Sequence, residues 1–178
     1  ALRKDAMLAA TRIMQDVVAA AHRHPPHGRG TVGMVQVFPN SRNVIPGRVK
    51  FSIDLRNSTD ELVDAMAAEV KAFADQVAKE HGVQVHIEMV SSSPAQLFQP
   101  ECVEAVGRAA AKLGYSHMPA VSGAGHDAVY MAKLAPSGMI FIPCKDGISH
   151  NEIEDAKPEH IEAGCNVLLH AMLERAGT

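Results

Sequence analysis

Apolar residues recur at helical spacing from residue 3 to about 22, where Met7, Leu8, Ile13, Val17 and Val18 form a stripe in an Ala-rich segment. No capping residue or turn precedes this predicted helix. It dissolves in His22-Arg23-His24-Pro25-Pro26-His27-Gly28, a Pro/Gly loop. The period then changes. Thr31 to Phe38 is rich in valine, and Arg48 to Arg56 alternates, with Val49, Phe51, Ile53 and Leu55 on one face and Lys50, Ser52, Asp54 and Arg56 on the other. The polar connection over 39–47 predicts an antiparallel hairpin with a long loop. A capping box, Ser58 with Glu61, opens a second helix that carries Leu62, Met66, Val70, Phe73 and Val77 on one stripe, and Gly82 closes it. Val83, Val85, Ile87 and Met89 alternate again as a third strand.

The order over this half is α-β-β-α-β. One more strand in front would complete the split ferredoxin-like sandwich, whereas three strands leave an edge in need of cover, so a first strand is expected upstream of Ala1. Ser91-Ser92-Ser93-Pro94 marks a boundary. Beyond it the pattern predicts a helix from Pro100 to Leu113, a glycine-rich loop, a short helix near His126 and a buried strand from Met139 to Pro143. A polar loop from Lys145 to Asp155 and a last helix from Pro158 to Arg175 follow. One strand cannot satisfy its own backbone groups and must join a sheet supplied from elsewhere. The fold class expected is α+β and α/β: a ferredoxin-like domain over 1–92 that lacks its first strand, then part of a second, α/β domain over 93–178.

Composition sharpens the function classes more than the fold. The 178 residues are 47% hydrophobic and 21% charged, as in ordinary globular proteins. A net charge of −3 argues against a nucleic-acid partner. No apolar run is long enough to span a bilayer, and Ala1-Leu2-Arg3-Lys4-Asp5 lacks the apolar core of a signal peptide. Cys102, Cys144 and Cys165 form no paired framework, which fits a reducing, cytoplasmic setting. Ten histidines stand beside two tyrosines and no tryptophan, and that skew is the compositional hint of chemistry.

Three constellations could carry it. Gly147-Ile148-Ser149-His150-Asn151-Glu152 follows the Met139–Pro143 strand, at the end where sites gather in open α/β sheets. His150 offers a neutral imidazole, Glu152 an oxygen, and Ser149 and Asn151 can orient both, although a lone histidine also reads as a capped loop residue. In Val121-Ser122-Gly123-Ala124-Gly125-His126-Asp127-Ala128, glycines free the backbone to approach a ligand, and helix-start amides favour an anion or carbonyl oxygen. A plain turn and a small-molecule site both fit. Dinucleotide binding does not, because no good strand precedes the glycines. Arg56 ends its strand on the polar face, where a guanidinium can grip a carboxylate or simply stand in solvent. Asn43 most simply supplies turn geometry.

Other candidates read blandly. His22, His24 and His27 fit a flexible, solvated loop, and Cys144, which could act as a thiol nucleophile beside His126 or His150, fits a small apolar strand-end residue. His81, His86, His117, His160 and His170 have no partner that the sequence names.

Taken together, the run from Thr31 through Phe38-Pro39-Asn40-Ser41-Arg42-Asn43-Val44-Ile45-Pro46-Gly47 to Asn57, the Ser122–Ala128 loop and the stretch from Pro136 to Glu152 resemble the N-carbamoyl-L-amino-acid hydrolase, β-ureidopropionase and allantoate amidohydrolase family. This is the amidase branch of the two-metal aminoacylase and carboxypeptidase-like peptidases. The resemblance covers essentially the whole chain, with the three motifs in order. It implies a zinc-binding α/β catalytic domain, to which residues from about 93 would belong. It also implies a ferredoxin-like dimerisation domain inserted into it, which residues 1–92 would largely supply. By resemblance His150 is a metal ligand, Arg56 binds the substrate carboxylate, Asn43 contacts the same substrate, and Gly125 and His126 supply a backbone donor and an imidazole. The resemblance implies two divalent ions per site (zinc, or manganese, cobalt or nickel), with the other ligands and a general-base Glu outside these residues.

Asn43 and Arg56 lie at opposite ends of one predicted strand, roughly 26 Å apart at about 3.3 Å per residue. One small substrate cannot touch both within one chain, so a site shared across a homodimer is expected. The expected function is metal-dependent hydrolysis of a linear ureido (N-carbamoyl) amino-acid-type small molecule, with this chain alone inactive. The alternatives are a non-catalytic ferredoxin-like dimerisation module, another aminoacylase- or dipeptidase-type metallohydrolase, or a cysteine hydrolase using Cys144.

Overall fold

The computed structural model describes residues 3–177. Residues 1, 2 and 178, which bound the two expected domains and begin the stretch read for a signal peptide, lie outside the described residues. The chain divides into two units, one up to Ala95 that holds helices and strands and one from Gln96 onwards that holds helices and irregular segments among the described residues.

The first unit opens with helix α1, Ala6–Arg23. Contrary to expectation it has a cap: Asp5 Oδ1 accepts the amides of Met7 and Leu8, each at 3.0 Å. An acidic residue set among Arg3, Lys4 and alanines reads as surface charge until its carboxylate is seen turned back on the helix. Four short strands follow, β1 (Arg29–Thr31), β2 (Val35–Phe38), β3 (Arg48–Phe51) and β4 (Asp54–Arg56). They form one hairpin in two ladders: β1 pairs antiparallel with β4, and β2 with β3. Between the ladders residues 32–34 stand opposite only residues 52–53, a one-residue bulge fastened by Ser52, whose amide donates to Met34 O at 3.0 Å and whose Oγ accepts the Met34 amide at 3.1 Å. The alternation predicted for 48–56 holds throughout, with Val49, Phe51, Ile53 and Leu55 turned inward and their neighbours exposed.

Helix α2, Asp60–His81, is capped one residue later than the predicted box. Thr59 Oγ1, not Ser58, accepts the Leu62 amide, while the Ser58 amide, which the box would have paired with Glu61, is held by Asn57 Oδ1 at 2.8 Å. Gly82 ends α2 in the left-handed conformation, φ 62°, as expected. The core lies between α1, α2 and the hairpin, with Ala9, Ile13, Ala74 and Val77 in one cluster and Val17, Ala20 and Val70 in another. Phe51, Ile53 and Leu55 reach into it from the strands. Gly30 passes so close to α1 that a Cβ there would collide with the Val17 carbonyl oxygen. The strand expected at 83–89 is not formed. Val83 and Val85 pack on the core, but the segment joins no ladder among the described residues and so forms no strand.

The second unit consists of α3 (Pro100–Lys112), α4 (Asp127–Met131), a single 3₁₀ turn (Lys145–Gly147) and α5 (Pro158–Ala176). Its core is small: Ala105, Ala109 and Ala110 of α3 meet Val167 and Ala171 of α5, with Ile140 and Tyr115 alongside. The strand expected at Met139–Pro143 is neither buried nor paired. Phe141 is 53% exposed, and the segment has no ladder partner among the described residues. Side-chain packing holds it instead. Gly164 of α5 admits Ile142 Cγ2 where a Cβ would stand 2.8 Å away, and Gln99 Oε1 accepts the Ser137 amide at 2.7 Å. No described helix is long and apolar enough to cross a membrane.

Candidate functional site

Strand β4 presents Arg56 on the exposed face of the hairpin, with the intervening Leu55 turned to the core. Asp54 is its near neighbour on the same face. Arg56 Nε donates to Asp54 Oδ1 at 2.7 Å and Nη2 to Oδ2 at 2.9 Å, a side-on bidentate pair. This pairing holds the Asp54 carboxyl below the usual range and raises the Arg56 guanidinium, with partial burial opposing both.

Asn43 lies at the far end of the hairpin, in the 39–47 connection, where its Oδ1 accepts Ser41 Oγ–H at 3.1 Å. That local bond is the turn-shaping role its residue type suggests. The connection is closed by the Gly47 amide on Phe38 O at 3.1 Å and tied to α1 by the Ala6 amide on Pro46 O at 3.2 Å. With the β1–β4 ladder at Arg56 and the β2–β3 ladder between it and the loop, the two residues stand at opposite ends of one continuous element.

In the second unit His126 is the residue before α4 and is half-buried. Its Nε2 lies 2.6 Å from Ser122 Oγ, which also accepts the Ala124 amide at 3.2 Å. Its ring meets Phe141 edge-on, with centroids 5.6 Å apart at 64°. Gly125 beside it is open: a Cβ there would meet nothing within 4 Å. The backbone of this exposed loop is therefore accessible, which suits a donor to a ligand.

His150 sits in the 145–155 loop with φ 56°, an uncommon conformation for a side-chain-bearing residue. Glu154 Oε2 accepts its amide at 2.8 Å, and Lys145 N donates to Asp155 O at 2.7 Å to close the loop. Asn151 Oδ1 accepts the Ile153 amide at 3.1 Å, so Asn151 shapes the turn. The acid holding His150 is thus Glu154 and not Glu152.

Among the described residues no group of three or more His, Cys, Asp or Glu side chains is gathered closely enough to hold a metal ion. His150 is one donor of a suitable kind, not a site. The Cys144 thiol points to Ile142 O, 4.0 Å away, and pairs with neither candidate histidine.

His24 departs from its expected solvated role. Its Nε2 lies 2.8 Å from Glu69 Oε1 of α2, while Arg23 Nε donates to Glu69 Oε2 at 2.9 Å and Arg23 Nη2 to Asp16 Oδ1 at 3.1 Å. Sequence reasoning also passed over Asp54, although the alternation of 48–56 placed it on Arg56's face. Ser122 is likewise a residue whose role only its distance to His126 reveals, and a hydroxyl four positions before a histidine in a glycine loop is the available signal.

A model of peptidase family M20/M25/M40 matches residues 5–174. The chain is 46% identical over 98% of its length to N-carbamoyl-L-amino-acid amidohydrolase of Rhizobium meliloti, and 29% identical over 98% to allantoate amidohydrolase of Bacillus subtilis. It spans about two fifths of each relative, 42% of their lengths. It is also similar to the crystal structure of an amidase of the hydantoinase/carbamoylase family from Burkholderia multivorans. There the identity is 51% and the TM-score 0.93, over 98% of this chain and 42% of that one.

Proposed function

From a chain that belongs to peptidase family M20/M25/M40, we propose a metal-dependent amidohydrolase that cleaves the C–N bond of a linear ureido, N-carbamoyl amino-acid-type substrate. The observation that carries this reading is the 46% identity, along 98% of the chain, to an N-carbamoyl-L-amino-acid amidohydrolase. The similarity to an allantoate amidohydrolase keeps allantoate within the same substrate class.

Arg56 receives the substrate carboxylate, and its exposed position at the end of β4 suits a guanidinium that turns binding into orientation. Asn43 contacts the substrate from the hairpin loop. Gly125 lends a backbone donor to a substrate oxygen, and His126, fixed by Ser122 and Phe141, supplies an imidazole at the site. His150 is assigned as one metal ligand. The described residues form no metal site of their own, so they account for binding and orientation and not for water activation. The 178 residues alone are accordingly expected to be inactive. Hydrolysis adds water across the ureido C–N bond, giving the amino acid and carbamate, which breaks down to ammonia and carbon dioxide.

Asn43 and Arg56 occupy opposite ends of the hairpin, so the reading includes a homodimer in which each site draws one of them from each subunit. Residues 1–92 are assigned as a ferredoxin-like dimerisation domain and 93–178 as part of the catalytic domain. The two helices of the first unit on either side of one antiparallel hairpin support the former. The protein acts on a cytoplasmic small molecule.

The test is ammonia release from N-carbamoyl-L-amino acids, allantoate and an N-acyl amino acid by the protein expressed from the whole gene. The assay is run with zinc, manganese, cobalt or nickel, and after chelation. Turnover of a ureido substrate that chelation abolishes is expected. Turnover of the N-acyl substrate alone would replace this reading with an aminoacylase, and activity that survives chelation but not thiol alkylation would favour Cys144.

A further inference from the structure

Arg56 stands directly across the ladder from another arginine, Arg29. Like charges placed opposite each other in an antiparallel pair repel, and both side chains are long enough to swing through wide arcs. Each is drawn off the other by its own acceptors. Arg29 Nη1 turns to Pro26 O at 3.1 Å and Gly28 O at 2.8 Å. Arg56 folds back along its own strand onto Asp54, held by two bonds at 2.7 and 2.9 Å.

A side-on pair fixes the plane and the direction of a guanidinium, because its donors form a rigid planar fork. Asp54 uses Nε and one face of Nη2. The end-on edge, made by Nη1 and the second hydrogen of Nη2, then points away from the Asp54 carboxylate. We propose that Asp54 is the positioning residue for Arg56: it aims the end-on edge at the carboxylate of the substrate and keeps the side chain clear of Arg29. The proposal rests on the assignment of Arg56 to the substrate carboxylate.

A competing role for the same pair has the opposite sign. If Asp54 merely competed with the substrate for the guanidinium, removing its charge would weaken that competition and tighten substrate binding. Asp54→Asn keeps the size and removes the charge, and Asp54→Glu keeps the charge and shifts it by one methylene.

The experiment measures kcat and KM for an N-carbamoyl-L-amino acid and for the same compound with its carboxylate replaced by a carboxamide, using the protein expressed from the whole gene. Asp54→Asn is expected to raise KM for the carboxylate substrate about fivefold, the upper range for an exposed ion pair, with kcat nearly unchanged. Asp54→Glu is expected to fall between that variant and the parent. The carboxamide substrate should show no difference, and Asp54→Asn should add nothing in an Arg56→Ala background. A lower KM, or a KM rise that persists for the carboxamide or in the Arg56→Ala background, overturns the positioning role while leaving the Arg56 assignment intact. An Arg56→Ala variant that binds the carboxylate substrate as well as the parent overturns that assignment, and the proposal with it.

Discussion

Ser122 and His126 face each other four positions apart in one loop, Oγ to Nε2 at 2.6 Å, while Ser122 Oγ also accepts the Ala124 amide. A hydroxyl that already accepts one bond has its hydrogen to give. When it gives that hydrogen to Nε2, the ring proton stays on Nδ1, the nitrogen left to meet a ligand. Ser122→Ala is expected to lower kcat/KM about tenfold by letting the tautomers mix. The nitrogen-15 shifts of His126 should move toward averaged values, and shifts identical to the parent's would remove Ser122 from this role.

Close approach of backbone to backbone gives a second expectation. A methyl at position 30 would strike the Val17 carbonyl oxygen, which belongs to a helix and cannot step aside. Gly30→Ala is therefore expected to destabilise the first unit by about 1–3 kcal/mol, as overpacking does. Gly47→Ala, where a Cβ meets nothing within 4 Å, serves as the control in the same urea titration. Equal midpoints for the two variants would contradict the packing described.

Acid should act on the α1–α2 contact. Glu69 is held below its ordinary value of 4.5, first by His24 and then by Arg23. A carboxyl with a depressed folded pKa contributes stability that is present above its unfolded value and lost as pH falls through the folded one. The urea midpoint is expected to fall from about pH 4.5 downwards, and less steeply in Glu69→Gln. The effect should be small and weakened by salt, because Glu69 stands at the surface. Parallel pH profiles for the two proteins would count against the network.

Subunit mixing tests the shared site. Asn43→Ala and Arg56→Ala chains, each strongly impaired alone at substrate concentrations below the parent KM, are expected to regain about a quarter of parent activity when randomly paired, since half the dimers are hybrid and each hybrid keeps one intact site. No recovery would place both residues in one subunit's site.

The alternation of Val49, Phe51, Ile53 and Leu55 was readable because one face meets a core and the other does not, and the structure keeps it residue for residue. The helices were readable for the same reason. The segments at 83–89 and 139–143 were not, because an apolar alternation or run reports where side chains can pack and says nothing of whether a backbone partner is paired with them. Caps were missed at Asp5 and displaced at Thr59 because several polar residues compete for one amide and only geometry decides. Within the candidate site, the residue types of Arg56, His126 and His150 were legible. Their holders, Asp54, Ser122 and Glu154, became visible only through distances.

The extra residue at 32–34 has a consequence for the register of this hairpin. Inward positions on its first strand are even-numbered before the bulge, Gly30 and Val32, and odd-numbered after it, at Val37, while the opposite strand keeps one parity throughout. The bulge works as a joint between two short, separately registered rulers. Ser52, bonded to both the amide and the carbonyl of Met34, marks where one register ends and the other begins. The far ladder thus keeps Arg56 on its outward face in a register of its own, separate from the one beside the Asn43 loop.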